Sequence, residues 1–155
     1  MTGIKTYTLA DLDALAVQAR AHPRRRANLN LHSGNEALVH RFVIALCRDS
    51  YIRPHRHTQP HKLEMATALQ GELEWLFFDD GGAITRRVRV SPAGPVFGLE
   101  VPPGVWHGLI AHSGSASFLE VKQGPYDAAT DKELAPWAPA EGAVEAGEYH
   151  QKLYT

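Results

Sequence analysis

The sequence predicts an all-β fold, a sandwich or barrel of short strands. Two observations carry this expectation. From residue 38 to residue 122, short runs of apolar and β-branched residues recur at near-regular spacing. Turn-forming clusters separate them: Gln70-Gly71-Glu72, Asp79-Asp80-Gly81-Gly82, Ser91-Pro92-Ala93-Gly94-Pro95, Pro102-Pro103-Gly104 and Ser113-Gly114-Ser115.

A single short helix precedes the strands, over residues 8–21. Thr8 can cap it with Asp11 three residues on, and Leu9, Leu12, Leu15, Ala16 and Ala19 recur at helical spacing. His22-Pro23 ends it, because proline disfavours helix at the residue before it. Next come Arg24, Arg25 and Arg26, then Asn28, Asn30 and His32, which a strand would place on one face. Residues 38–48 form an apolar run of the kind buried on both faces. Strands are expected over 51–57, 63–70, 73–78, 84–90, 96–101, 107–112 and 116–122. From Gly124 onward proline, alanine and acidic residues dominate, and Pro136-Trp137-Ala138-Pro139 suggests an extended arm.

Composition narrows the class of protein. A chain of 155 residues fits one domain, here 1–155: the helix and an extended segment over 1–34, the barrel over 36–123 and the arm over 124–155. With 44% hydrophobic and 21% charged residues, disorder is excluded as the dominant state. No run approaches the ~20 apolar residues of a membrane helix. A net charge of -1 leaves no electrostatic footprint for nucleic acid or anionic lipid. The lone Cys47 excludes an internal disulfide and reads as core. The first residues lack the apolar core of a secretory signal, so a cytoplasmic protein is expected.

The unusual feature is nine histidines. His55 and His57 are two apart in an expected strand, so both imidazoles share a face. Glu64 opens the next strand, with Ala66, Ala68 and Gln70 on its face. A carboxylate among such small side chains makes sense beside something large. His107 follows the Pro102-Pro103-Gly104 turn and opens another strand. Singly, each of these is more simply a solvated or hydrogen-bonded residue. Jointly, three imidazoles and a carboxylate on three successive β elements suit one divalent ion such as Zn, Fe, Mn or Ni.

These residues also carry a resemblance. His55-Arg56-His57, then Glu64, then Gly71 resembles the first cupin motif, and Pro102-Pro103-Gly104-Val105-Trp106-His107 the second. Within cupins the chain resembles the WbuC-type cupin-fold metalloproteins, associated with bacterial surface-polysaccharide gene clusters. The likeness runs through Arg26-x-Asn28-x-Asn30-x-His32, Arg53-Pro54-His55-Arg56-His57 and Phe78-Asp79-Asp80. It continues into Lys122-x-Gly124-Pro125-Tyr126-Asp127-x-x-Thr130-Asp131-Lys132-Glu133 and Trp137-Ala138-Pro139-Ala140-Glu141-Gly142. The resemblance implies a double-stranded β-helix (jelly-roll) barrel, a metal held by His55, His57, Glu64 and His107, and a homodimer. The chain departs from the cupin pattern in two places. Six residues, His61 among them, separate His57 from Glu64 where cupins usually have three or four, so His61 is either a substitute ligand or an exposed loop residue. Ala111 stands where cupins often have asparagine, which affects pocket polarity more than metal binding.

Other residues remain open between two roles. Glu120 and Lys122 share a face with Ala116 and Phe118, as a structural ion pair or as acid/base groups. Tyr126 is a pocket residue or a packed aromatic. Arg24–Arg26 is a solvated helix end or an anion contact. Trp75 and Trp137 read as core or interface, and Trp106 as a shield for the metal. A metal with three His and one Glu leaves up to two of six octahedral positions free. The expected function is therefore a metalloprotein acting on a small polar ligand, sugar-derived or a hydroxy acid, in surface-polysaccharide metabolism. Isomerisation, epimerisation, lyase and oxygen-dependent chemistry all fit, with Lys122, Glu120 or Tyr126 moving protons. The alternative is a non-catalytic metal-containing binding protein.

Overall fold

The computed structural model describes residues 3–155. It holds two helices, α1 (Leu9–Ala21) and α2 (Ala146–Lys152), and ten strands. The strands are β1 (Arg26–Asn30), β2 (Val39–Cys47), β3 (His55–Arg56), β4 (Glu64–Gln70), β5 (Leu73–Phe78), β6 (Ile84–Val90), β7 (Gly98–Val101), β8 (Trp106–Ala111), β9 (Ser115–Gln123) and β10 (Glu133–Leu134). They form two five-stranded antiparallel sheets, in the orders β1-β2-β9-β4-β7 and β10-β3-β8-β5-β6. The strand pattern predicts such a sandwich, and the cupin resemblance implies its jelly-roll form.

Alternation along the strands builds the core between the sheets. Leu46, Ala66, Ala68, Ala116 and Phe118 from the first sheet meet Leu73, Trp75, Val90 and Leu109 from the second. The Trp75 ring stands edge-on to Phe118, with centroids 5.2 Å apart. Two further apolar layers lie outside the sandwich. Leu12, Leu15 and Ala19 of α1 cover Val43, Ala45 and Cys47 on the back of the first sheet. The C-terminal segment brings Ala135, Ala138 and Leu153 against Leu76, Phe78, Trp106 and Ile110 on the back of the second.

Local chemistry explains the element ends. The Thr8 amide donates to the Asp11 carboxylate at 2.7 Å and the Asp11 amide to the Thr8 hydroxyl at 3.3 Å, which is the expected capping box. Leu9, expected on the buried face, is 71% exposed because it precedes the first turn that touches the sheet. The run 38–48 is buried on both faces only in its second half. Val39 and Arg41 lie beyond the reach of α1 and are exposed.

Two expectations are corrected. The strand expected over 51–57 shrinks to His55–Arg56, since the chain pairs only where β8 and β10 lie alongside it. The arm over 124–155 is not wholly extended: it pairs as β10, crosses the second sheet, and ends in α2. No signal marked α2, which has seven residues, a glycine (Gly147) inside it and no capping side chain. Tertiary contacts hold it instead. Arg87 Nη1 donates to the Leu153 carbonyl at 2.8 Å, and the Tyr154 hydroxyl sits 2.7 Å from the Arg48 carbonyl.

Candidate metal centre

The sandwich is apolar at one end and charged at the other. Along β4 the inward residues run Ala68, Ala66, Glu64, and opposite them on β9 run Phe118, Glu120, Lys122. At the charged end the sheets enclose a cavity of about 410 Å³. His55, His57, Glu64 and His107 line it, as do Glu120, Lys122 and Tyr126. The apolar end supplies the packed floor, which fixes the strands and therefore the ligand directions.

Three elements deliver the histidines. His55 in β3 pairs in register with His107 in β8. His57 follows β3, and its carbonyl accepts from the Gly104 amide at 2.7 Å. Gly104 has φ of +81°, so the Pro102-Pro103-Gly104 turn needs a glycine there. The three ring centroids lie 4.6, 5.5 and 5.9 Å apart, and each ring presents one nitrogen within 4.8 Å of the other two. All three histidines are buried.

Backbone carbonyls fix the tautomers. His55 Nδ1 lies 3.1 Å from the Arg53 carbonyl, His107 Nδ1 lies 2.9 Å from the Val105 carbonyl, and His57 Nδ1 contacts the Asp131 carbonyl. A carbonyl only accepts, so each Nδ1 carries a proton and donates it. In neutral imidazole that leaves a lone pair on Nε2. Burial, and then the neighbouring His107, hold the pKa of His55 well below its ordinary value, so His55 is neutral.

Glu64 stands beside two of these histidines, outside the three-histidine cluster itself. Its Oε2 lies 3.0 Å from His57 Nε2 and 3.6 Å from His107 Nε2. Burial opposes its charge, yet contacts with His107 and His57 hold its carboxyl well below the usual range. His107 Nε2 is buried and has no hydrogen-bond partner among the described residues. A buried carboxylate facing imidazole lone pairs is repulsive unless a proton or a cation lies between them. The donor set of three imidazole nitrogens and one carboxylate oxygen fits a divalent ion, and the orphaned His107 nitrogen fits a missing ligand bond.

The remaining expected residues separate clearly. His61 lies exposed in the turn before β4 and is not grouped with the three histidines. Lys122 Nζ lies 3.7 Å from Glu120 and 3.5 Å from Asp131. Burial disfavours its charge, but Glu120, Glu64 and Asp131 together raise its pKa, so it is a cation. Burial, with the Glu64 charge beside it, pushes the Glu120 carboxyl well above the ordinary range. Tyr126 is partly exposed at the cavity wall. Trp106 does not shield the histidines: it packs outside the second sheet, under Arg56 at 4.3 Å and near Trp137. Trp75 is core, and Cys47 is core beneath α1.

Sequence reasoning missed Asp131 and Arg53 as site residues. Asp131 orients His57 by its carbonyl and holds Lys122 by its carboxylate. Arg53 bonds the Ala135 carbonyl through Nε and Nη2 and lines the cavity. Both stand within the segments that carry the resemblance, but only the return of the tail as β10 shows that each reaches the site.

Comparison with solved structures shows the fold. An oxalate oxidase in complex with the substrate analogue glycolate superposes with a TM-score of 0.57 at 14% identity, over 87% of this chain and 68% of that one. A second oxalate oxidase gives 0.55 at 16% identity, over 75% of this chain and only 58% of that one. KdgF from Halomonas sp. gives 0.50 at 15% identity, over 67% of this chain and 82% of that one. These neighbours are cupin-fold proteins, and the fold here is the cupin jelly roll. No curated protein matches the sequence. No helix among the described residues is long and apolar enough to cross a membrane. Residues 7–90, which include His55, His57 and Glu64 but not His107, match the family described as Domain of unknown function (DUF6016), and the chain belongs to that family.

Proposed function

We propose that the chain binds one divalent metal ion through His55, His57, His107 and Glu64, and presents it to a small polar ligand in the cavity above. The observation that carries this reading is the convergence of three Nδ1-anchored imidazoles on one another, two of them facing the buried Glu64 carboxylate, with His107 Nε2 left without a hydrogen-bond partner among the described residues. Such an ion acts as a Lewis acid or lowers the pKa of a bound water. The chain's own residues orient and enclose. Arg53, Val105 and Asp131 set the imidazole rings through their carbonyls, and Lys122 and Glu120 place polar atoms on the cavity wall. Lys122, Glu120 and Tyr126 are the groups positioned to move a proton to or from a ligand there.

A hydroxy acid is the favoured ligand, because its hydroxyl and carboxylate could both serve as oxygen donors to an ion held by His55, His57, His107 and Glu64. The KdgF and oxalate oxidase likenesses support the jelly-roll fold that frames this cavity, and the glycolate in one of them is a hydroxy acid. The link to WbuC-type proteins and surface-polysaccharide metabolism rests on the tail that runs from Lys122 to Gly142. Cobalt substitution tests the reading. The cobalt-loaded protein should show a visible spectrum that shifts when glycolate is added, reporting a ligand entering the coordination sphere. A spectrum unchanged by glycolate, tartrate and sugar diols alike would mean a closed, structural ion, and the reading would fail.

A further inference from the structure

We infer that the ligand is a dianion, with one end on the metal and a second anionic group held at the cavity mouth by Arg53 and Arg24. This rests on the metal reading for the first end and on separate residues for the second.

The acids of the cavity are already engaged. Glu64 faces His57 and His107. Glu120 lies beside Lys122, Asp131 lies between Lys62 (3.7 Å) and Lys122 (3.5 Å), and Glu141 pairs with Arg26 at 2.6 Å. Three cations on the lining have no carboxylate partner among the described residues: Arg24, Arg53 and Lys132.

Arg53 is the most constrained of them. It is partly buried, and both of its hydrogen bonds go through Nε and Nη2 to one neutral carbonyl, that of Ala135. Its plane is thereby fixed while Nη1 remains unspent, which suits recognition of a carboxylate or phosphate oxygen. Arg24 has an anchored backbone: its amide donates to His22 Nδ1 and its carbonyl accepts from the Ser50 hydroxyl. Its guanidinium makes no hydrogen bond or ion pair among the described residues and stands exposed at the lining. Lys132 follows Asp131, close enough for its charge to act on both His55 and Glu120. With a divalent ion bound, this mouth carries an excess of positive charge, which a ligand with a single metal-bound carboxylate would leave uncompensated.

The second group can be a carboxylate or a phosphate, and paired probes separate the two. Metal-loaded protein is titrated calorimetrically with malate against glycolate, and with glucose 6-phosphate against glucose, at two salt concentrations. At least one dianion should bind about tenfold tighter than its less charged counterpart, more weakly at higher salt. Arg53→Gln and Arg24→Gln should each remove most of that advantage while metal content per chain stays at the parent value. Arg24→Gln, which breaks no hydrogen bond or ion pair among the described residues, keeps the test meaningful if Arg53→Gln releases the tail. Malate winning assigns a dicarboxylate, and glucose 6-phosphate winning assigns a phosphorylated sugar. Equal affinities within both pairs, an advantage that survives both substitutions, or no binding by either dianion would overturn the inference. Dianion binding that needs the arginines but persists in metal-free protein would overturn only the metal end.

Discussion

His107 shows what one residue contributes at this site. Its Nδ1 is committed to the Val105 carbonyl, so its Nε2 has only the space beside Glu64 to serve. His107→Ala should therefore lower metal affinity steeply, measured by competition with a chelator on the folded variant. Glu64→Gln removes the one anionic donor and should also weaken metal retention, measured by competition with a chelator. Trp75 makes the contrast at the other end of the sandwich. It is buried against Phe118, and Trp75→Ala should cost about 3–5 kcal/mol in chemical denaturation. The clustering of these side chains was legible in the sequence because the His-x-His spacing and the glutamate among alanines are local patterns. Arg53 and Asp131 were not, since their roles depend on a tail returning from about eighty residues away.

At the scale of elements, the C-terminal segment behaves as a separate layer on the second sheet. Its aromatic contacts include Tyr51 to Tyr149 and Trp137 to Phe78, and the Trp137 ring lies where a β-carbon on Gly82 would come within 2.6 Å. Gly82 also has φ of +90°, so Gly82→Ala should strain that turn and displace Trp137 together, visible as a change in tryptophan fluorescence. Burial raises the phenol pKa of Tyr51 and Tyr154 and pushes that of Tyr149 up to about 12. A phenol whose folded pKa is raised stabilises the docked layer fully below its unfolded value of 10.0 and loses that contribution as pH rises through about 12. Far-UV circular dichroism should accordingly stay constant to about pH 10 and lose the α2 signal between 10 and 12. Titration of all tyrosines at their ordinary value, with no structural change, would contradict this packing. The strands were legible because alternation and turn chemistry are short-range, and α1 because its cap is. The helix α2 was not, because packing rather than propensity makes it.

For the whole molecule, the sandwich divides its work between its ends. One end packs Trp75, Phe118 and Leu46 into a floor, and the other gathers the histidines, Glu64 and the cavity. Metal binding to the folded state alone should raise the melting temperature with ion concentration, by about 2.7 kcal/mol of stability at a hundredfold excess over the dissociation constant. The cupin resemblance also leads us to propose a homodimer, which light scattering on the purified chain would show as twice 17.1 kDa.

The central claim is that His55, His57, His107 and Glu64 hold one metal ion. It is tested most directly by elemental analysis of tag-free protein beside the His55→Ala/His57→Ala double variant. The expected result is close to one divalent ion per parent chain and almost none in a folded variant. Absence of metal from the parent even after reconstitution with Zn, Fe, Mn and Ni, or equal metal in both proteins, would contradict it.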